Sequence, residues 1–234
     1  MSEGGREART APDPGQATAQ GLATTMYTER AGSYHRFVSA VGYPRGMRAV
    51  LRGFESLRSD LKVLDAGCGG GIATLALRDA LEARKLRPGI THGFDLTPAM
   101  LERFRASLAR RGISDVELLQ ADVLQIEGLP DAWKNYDLIV SSSMLEYVPR
   151  HRLPEALGGL RERLAADGVL LLFISRRNWM MEYLIQRWWT ANLYDREQLA
   201  AAMQQAGFSR VRFRRFPVSC AHLAVWGHIL EARP

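Results

Sequence analysis

Three aspartates and a run of glycines carry the chemistry that this sequence makes available. Val63-Leu-Asp-Ala-Gly-Cys-Gly-Gly-Gly71 reads as a buried strand that carries a carboxylate, Asp65, and then turns through glycine into a helical pattern. Glycines allow a sharp turn and let the backbone lie directly against a ligand, because no side chain intervenes. Such a loop suits nucleotides in general. The dinucleotide fingerprint G-x-G-x-x-G is incomplete here, since Ile72 takes its third glycine position after Gly67 and Gly69. Asp65 stands two residues before the first glycine, where it would repel a pyrophosphate and favour a ligand with cationic centres.

Further acids fall where the next strands should end. Asp95 closes Ile90-Thr-His-Gly-Phe-Asp95, at the carboxyl edge of the second strand in a βαβ unit of ~30 residues, where it can accept both hydroxyls of a ribose. Asp122 follows Val116-Glu-Leu-Leu-Gln-Ala, past the third strand, where a carboxylate can take the amino group of adenine. A single aspartate at a strand end caps a helix more often than it binds a ligand. Three of them at successive strand ends, with a glycine loop at the first, point to one adenosyl ligand bearing ammonium and sulfonium charges. The expected ligand is S-adenosyl-L-methionine, with S-adenosyl-L-homocysteine as product.

The elements that must position these groups are legible in the hydrophobic rhythm. Short apolar runs at Leu61–Leu64, Ile90–Phe94, Val116–Leu119, Tyr136–Ser141 and Val169–Ile174 alternate with helical patterns at Ile72–Arg84, Pro98–Arg111 and Arg152–Ala166. Alternation of this kind predicts an α/β fold, a mostly parallel sheet with helices on both faces. Pro98 suits a first helical turn with Thr97 as its cap, and Gly112 and Gly168 stand where helices should stop. Asn178–Trp189 is amphipathic and aromatic-rich, Asp195–Ala206 is a helix capped by Asp195, and Arg210–Phe216 and His222–Glu231 supply two last strands. Residues 1–22 read as a disordered tail, 23–58 as an N-terminal helical lid broken near Gly42-Tyr-Pro44, and 59–234 as the main domain, with 176–194 inserted near the substrate pocket.

Val63–Gly71, Gly93-Phe-Asp95-Leu-Thr-Pro-Ala-Met-Leu101, Gln120-Ala-Asp122-Val and Tyr136-Asp-Leu-Ile-Val-Ser-Ser-Ser-Met-Leu-Glu-Tyr-Val148 together resemble the successive motifs of the class I adenosylmethionine-dependent methyltransferases. The resemblance covers about residues 60–175 and is strongest to small-molecule members such as those of quinone biosynthesis. It implies a Rossmann-like seven-stranded sheet whose last strand is antiparallel. It also implies that Asp65, Gly67 and Gly69 face the methionine part, Asp95 and Leu96 the ribose and adenine, and Asp122 and the Val123 backbone N–H the adenine edge. Ser141 or Ser142 would lie under the methionine part. Two departures matter: Tyr147 stands where members often carry histidine, and Ser141-Ser-Ser-Met replaces the Asn/Asp-Pro-Pro-Tyr of enzymes acting on nucleic-acid base or amide nitrogens.

Methyl transfer from a sulfonium is an in-line displacement served mostly by positioning and desolvation, although a hydroxyl acceptor benefits from a general base. No catalytic residue is fixed by the sequence; His151, His35 and Tyr147 are the candidates. His92 and His228 fall inside strands and read as structural. The acceptor should lie over the ends of the fourth and fifth strands, near Tyr27, Tyr34, Arg176, Arg177, Asn178, Trp188 and Trp189. Arginines beside tryptophans would suit an anionic or aromatic small molecule. Packing of the tryptophans in the core is the competing reading of those residues. No cluster has metal-ligand spacing, so no metal is expected.

The net charge of +6 would suit nucleic acid, yet only Lys62, Lys85 and Lys134 are lysines and the arginines are interleaved with acids rather than massed. Nucleic acid is therefore not the expected partner. Two cysteines, no signal-peptide pattern and no apolar run long enough to span a bilayer make a cytoplasmic chain the expectation. Alternatives are a non-catalytic adenosylmethionine-binding protein, a nicotinamide-dependent oxidoreductase and a nucleic-acid methyltransferase.

Overall fold

The computed structural model describes residues 41–188 and 191–234. The expected tail, most of the expected lid with Tyr27, Tyr34 and His35, and Trp189 lie outside them. Seven strands form one sheet: β1 (Val63–Ala66), β2 (Thr91–Asp95), β3 (Val116–Gln120), β4 (Tyr136–Ser142), β5 (Leu164–Ser175), β6 (Arg210–Arg214) and β7 (Gly227–Arg233). Their spatial order is β3-β2-β1-β4-β5-β7-β6. The pairs from β3 across to β5 are parallel, whereas β7 runs antiparallel to both β5 and β6. The order reverses between β1 and β4, which opens a crevice at the carboxyl ends of the strands where a ligand fits.

Among the described residues six helices surround the sheet: α1 (Tyr43–Arg52), α2 (Ile72–Ala83), α3 (Pro98–Arg110), α4 (Leu153–Glu162), α5 (Trp179–Trp188) and α6 (Arg196–Gln205). Met47, Val50 and Leu51 of α1 pack with Leu77, Ala80 and Leu81 of α2 against Val140, Leu171 and Phe173 of the sheet. Leu157 and Leu160 of α4 and Leu199 and Met203 of α6 cover the opposite face, on Ile139, Leu170 and Leu172. Burial of each of these Val, Leu, Ile, Met and Phe side chains stabilises the fold by about 1.5–3 kcal/mol. Coverage from both sides explains why the central strands are unbroken apolar runs rather than alternating ones. Helix α1 is thus a layer of the core, and its first residue, Tyr43, also lines the crevice.

Several expected boundaries shift for identifiable reasons. The helix expected over Arg152–Ala166 ends at Glu162, because Leu164 already pairs with Tyr136 and begins β5. Gly168 does not stop that helix. It sits in an irregular start of β5, where an added Cβ would fall 2.5 Å from the Tyr136 carbonyl oxygen. The last strand begins at Gly227 rather than His222, and Val218–Val225 forms 3-10 turns before it. Asp195 caps α6 as expected, through a reciprocal capping box with Gln198. Thr97 occupies the cap position of α3, but its side chain makes no capping bond; its backbone N–H donates to Asp95 Oδ1 at 2.9 Å instead.

Candidate functional site

The first strand delivers Asp65 with 1% of its surface exposed. One oxygen, Oδ2, accepts from the Thr74 backbone N–H at 3.1 Å and from the Thr74 hydroxyl at 2.6 Å. The other, Oδ1, is buried with no hydrogen-bond partner. Burial pushes the carboxyl up to about 6, against the pull of Thr74. A buried carboxylate oxygen left open costs free energy unless a ligand completes it.

The loop from Gly67 to Gly71 is fixed at both ends by close approaches. Gly67 has φ 71°, and a Cβ there would lie 2.2 Å from Met144 Cγ; Gly71 has φ 87° and would meet Phe104 at 2.1 Å. Neither conformation nor contact admits a side chain without strain. Between them the loop is tied to β2: Cys68 N–H donates to the Phe94 carbonyl at 2.9 Å and Gly69 N–H to Asp95 Oδ2 at 2.8 Å. Asp95 therefore holds the loop through one oxygen and the start of α3 through the other. Burial raises its pKa, and the two backbone donors oppose that rise. The buried thiol of Cys68 is pushed well up by desolvation and by Asp65 and Asp95, so it stays protonated and acts as a small packing group.

These parts surround one cavity of about 410 Å³. Gly69 and Gly70 form an open stretch of its floor: a Cβ on Gly70 meets nothing within 4 Å. Asp65, Gly67, Gly69, Asp95, Leu96, Asp122, Val123 and Ser142 all line it. Asp122 also caps the 3-10 turn Val123–Gly128, accepting from Leu124 N–H at 2.9 Å, so the capping and ligand readings are compatible in one side chain. Ser141 is fully buried behind the wall, with its hydroxyl unpartnered, and does not line the cavity.

Residues 63–168 match the profile of a family described as a methyltransferase domain. Over those residues the chain is similar to a methyltransferase domain. Carboxy-S-adenosyl-L-methionine synthase of Dichelobacter nodosus is 28% identical over 140 residues, covering 59% of this chain and 54% of that protein. Aklanonic acid methyltransferase of Streptomyces sp. is 26% identical over 137 residues, covering 58% and 56%. The chain thus spans about half the length of these curated relatives. Among solved structures, magnesium protoporphyrin IX methyltransferase from Synechocystis with bound S-adenosylhomocysteine superposes with a TM-score of 0.69 at 16% identity, over 92% of this chain and 99% of that one. At that identity the likeness speaks for the fold.

The cavity does not gather every residue that the sequence suggested. Tyr147 lines the cavity, whereas His151 is exposed in the 3-10 turn Arg150–Arg152 and does not. Arg176, Arg177 and Asn178 are drawn into local structure outside it. Arg176 donates to the Ala224 carbonyl, Arg177 pairs with Glu182, and Asn178 accepts from Met181 N–H while donating to the Val225 carbonyl. Trp188 ends α5. Both structural histidines are accounted for: His92 bonds Tyr136 and stacks on Trp133, and burial lowers His228 to about 4.

Other cavity residues escaped sequence reading. Tyr43 of α1 bonds Ser142 Oγ at 3.0 Å, and burial of its hydroxyl pushes it up to about 12. Met144 packs over Gly67, and Met100 of α3 reaches toward Gly69. Behind the wall, between cavity residues Met144 and Tyr147, lies Glu146, 3% exposed. Its Oε1 accepts from Ser175 Oγ at 2.7 Å, Oε2 has no partner, and burial raises it to about 7. The only signal for it was an acid inside the apolar stretch Met144-Leu-Glu-Tyr-Val148. Among the described residues no group of three or more His, Cys, Asp or Glu is placed to hold a metal ion, and no helix is long and apolar enough to cross a membrane.

Proposed function

We propose that this chain binds S-adenosyl-L-methionine in the cleft and transfers its methyl group to a small-molecule acceptor, leaving S-adenosyl-L-homocysteine. The observation that carries the reading is the buried, unpartnered Oδ1 of Asp65 in a cavity floored by Gly69 and Gly70. That oxygen asks for a cationic donor, and the ammonium of the methionine part is one. Asp65, Gly67 and Gly69 then hold the methionine part, with Ser142 beneath it and Ser141 behind. Asp95 and Leu96 serve the ribose and adenine, and Asp122 and Val123 the adenine edge.

The bound sulfonium supplies an already activated methyl group. The chain supplies orientation and exclusion of water, which govern an in-line displacement. Tyr43, Met144 and Tyr147 form the cavity wall at the end of β4 and face the acceptor. Glu146, which burial raises to about 7, lies behind that wall and does not line the cavity, so no base is assigned for an acceptor that must lose a proton. An amine or thiol acceptor needs only the positioning. An acceptor of small-molecule type accords with the aklanonic acid methyltransferase among the relatives.

Titration calorimetry with S-adenosylhomocysteine and with NADH tests the cofactor, and labelled adenosylmethionine incubated with a host-cell extract tests transfer. Binding of the first ligand and a labelled small molecule found by mass spectrometry are expected. Binding of NADH alone would overturn the cofactor reading. Label on RNA, or tight adenosylhomocysteine binding with no labelled product, would overturn the small-molecule transferase.

A further inference from the structure

Six large apolar side chains stand exposed among the described residues, and four of them fall on two adjoining segments. Trp179 is 82% exposed and Tyr183 63% on α5; Val218 is 95% exposed and Val225 43% in the 3-10 segment before β7. The segments are fastened together by the bonds from Asn178 to the Val225 carbonyl at 2.7 Å and from Arg176 to the Ala224 carbonyl at 3.1 Å. Trp179 and Tyr183, four residues apart, share one face of their helix. The inward side of that turn is already served by Met181, which is 6% exposed. Packing of the core therefore does not explain the two aromatic rings. A tryptophan left four-fifths in water beside other apolar groups marks a surface that meets something.

The charge around the patch selects the occupant. Across 176–183 and 215–226 the sequence holds Arg176, Arg177, Arg215 and His222 against one acid, Glu182, which Arg177 already engages at 3.1 Å. All three arginines are exposed. A second copy of the chain, packed face to face, would set these cations against their own kind. An anionic lipid surface matches both features. Tryptophan and tyrosine favour the boundary between headgroups and acyl chains, and guanidinium groups pair with lipid phosphates. We propose that this face docks peripherally on an anionic bilayer. It lies at the carboxyl end of β5, next to β4, whose carboxyl end lines the cleft. The docking is independent of methyl transfer.

The test is co-sedimentation of the full chain with phosphatidylcholine vesicles, with and without phosphatidylglycerol, at low and high salt. Binding should require phosphatidylglycerol and weaken with salt. The double variant W179S/Y183S should bind at least about tenfold more weakly, as expected when the apolar area of two aromatic rings no longer enters the interface. Its urea midpoint should match the wild type, since both side chains are exposed. Absence of vesicle binding, or binding that the double variant leaves intact, would overturn the proposal. So would wild-type self-association in sedimentation velocity that the variant abolishes, because the face would then be a contact between copies. Each readout is made without an acceptor, so failure of the transferase reading would leave this one standing.

Discussion

Replacing Asp65 by asparagine should separate two consequences of burying a carboxyl. Its pKa in the folded chain is raised from an ordinary value near 3.8 to about 6 by desolvation. The folded state therefore holds the proton more tightly than the unfolded state does. Stability from this group is fully present below about pH 4 and is lost as pH rises through about 6. The displacement corresponds to roughly 3 kcal/mol. Asparagine cannot ionise, so the Asp65→Asn chain lacks that slope. Any pH-independent misfit of the amide against Thr74 cancels when the same two chains are compared across pH, and so does the parallel titration of Glu146. The stability of Asp65→Asn minus that of wild type should thus grow by roughly 3 kcal/mol from about pH 4 to about pH 7, in urea unfolding followed by circular dichroism. Binding should move the opposite way. The variant should lose about tenfold or more in affinity for S-adenosylhomocysteine. Wild-type affinity should fall as pH drops through about 6, where Asp65 takes up a proton. Stability profiles that stay parallel would refute the account of the buried acid. Unchanged affinity would refute its role toward the ammonium.

Asp95→Ala removes acceptors from Gly69 and Thr97 at once and should weaken S-adenosylhomocysteine binding by about tenfold or more in calorimetry; unchanged affinity would end the ribose assignment. Gly71→Ala places a Cβ 2.1 Å from Phe104 at φ 87° and should destabilise the chain by about 2 kcal/mol or more, read from the urea midpoint. Asp195→Ala breaks the capping box of α6 and should lower stability by about 1 kcal/mol while leaving ligand affinity alone. A loss of affinity there would show that α6 is coupled to the cleft.

The sheet, the glycine loop and the acids at three strand ends are legible in the residues alone. These are local properties: apolar runs of strand length need cover on both faces, and a chain that turns back against its own strand needs glycine where no Cβ fits. Asp65, Asp95 and Asp122 follow the same logic, since position along a strand already sets which edge of a parallel sheet a residue reaches. Features that depend on distant partners emerge only from the packing. Gly168 looked like a helix stop because sequence shows the helix behind it but not that Leu164 pairs with Tyr136 or that Gly168 lies against the Tyr136 carbonyl. Arg176, Arg177 and Asn178 looked like substrate contacts until Ala224, Glu182, Met181 and Val225 took up their donors and acceptors. Tyr43 reaches Ser142 only because α1 packs across the sheet, ninety-nine residues away in sequence. Whether Oδ1 of Asp65 and Oε2 of Glu146 are bonded or open is likewise a question of what surrounds them in space. Burial and partnership set a carboxyl's proton affinity, and neither is a property of the residue's neighbours along the chain.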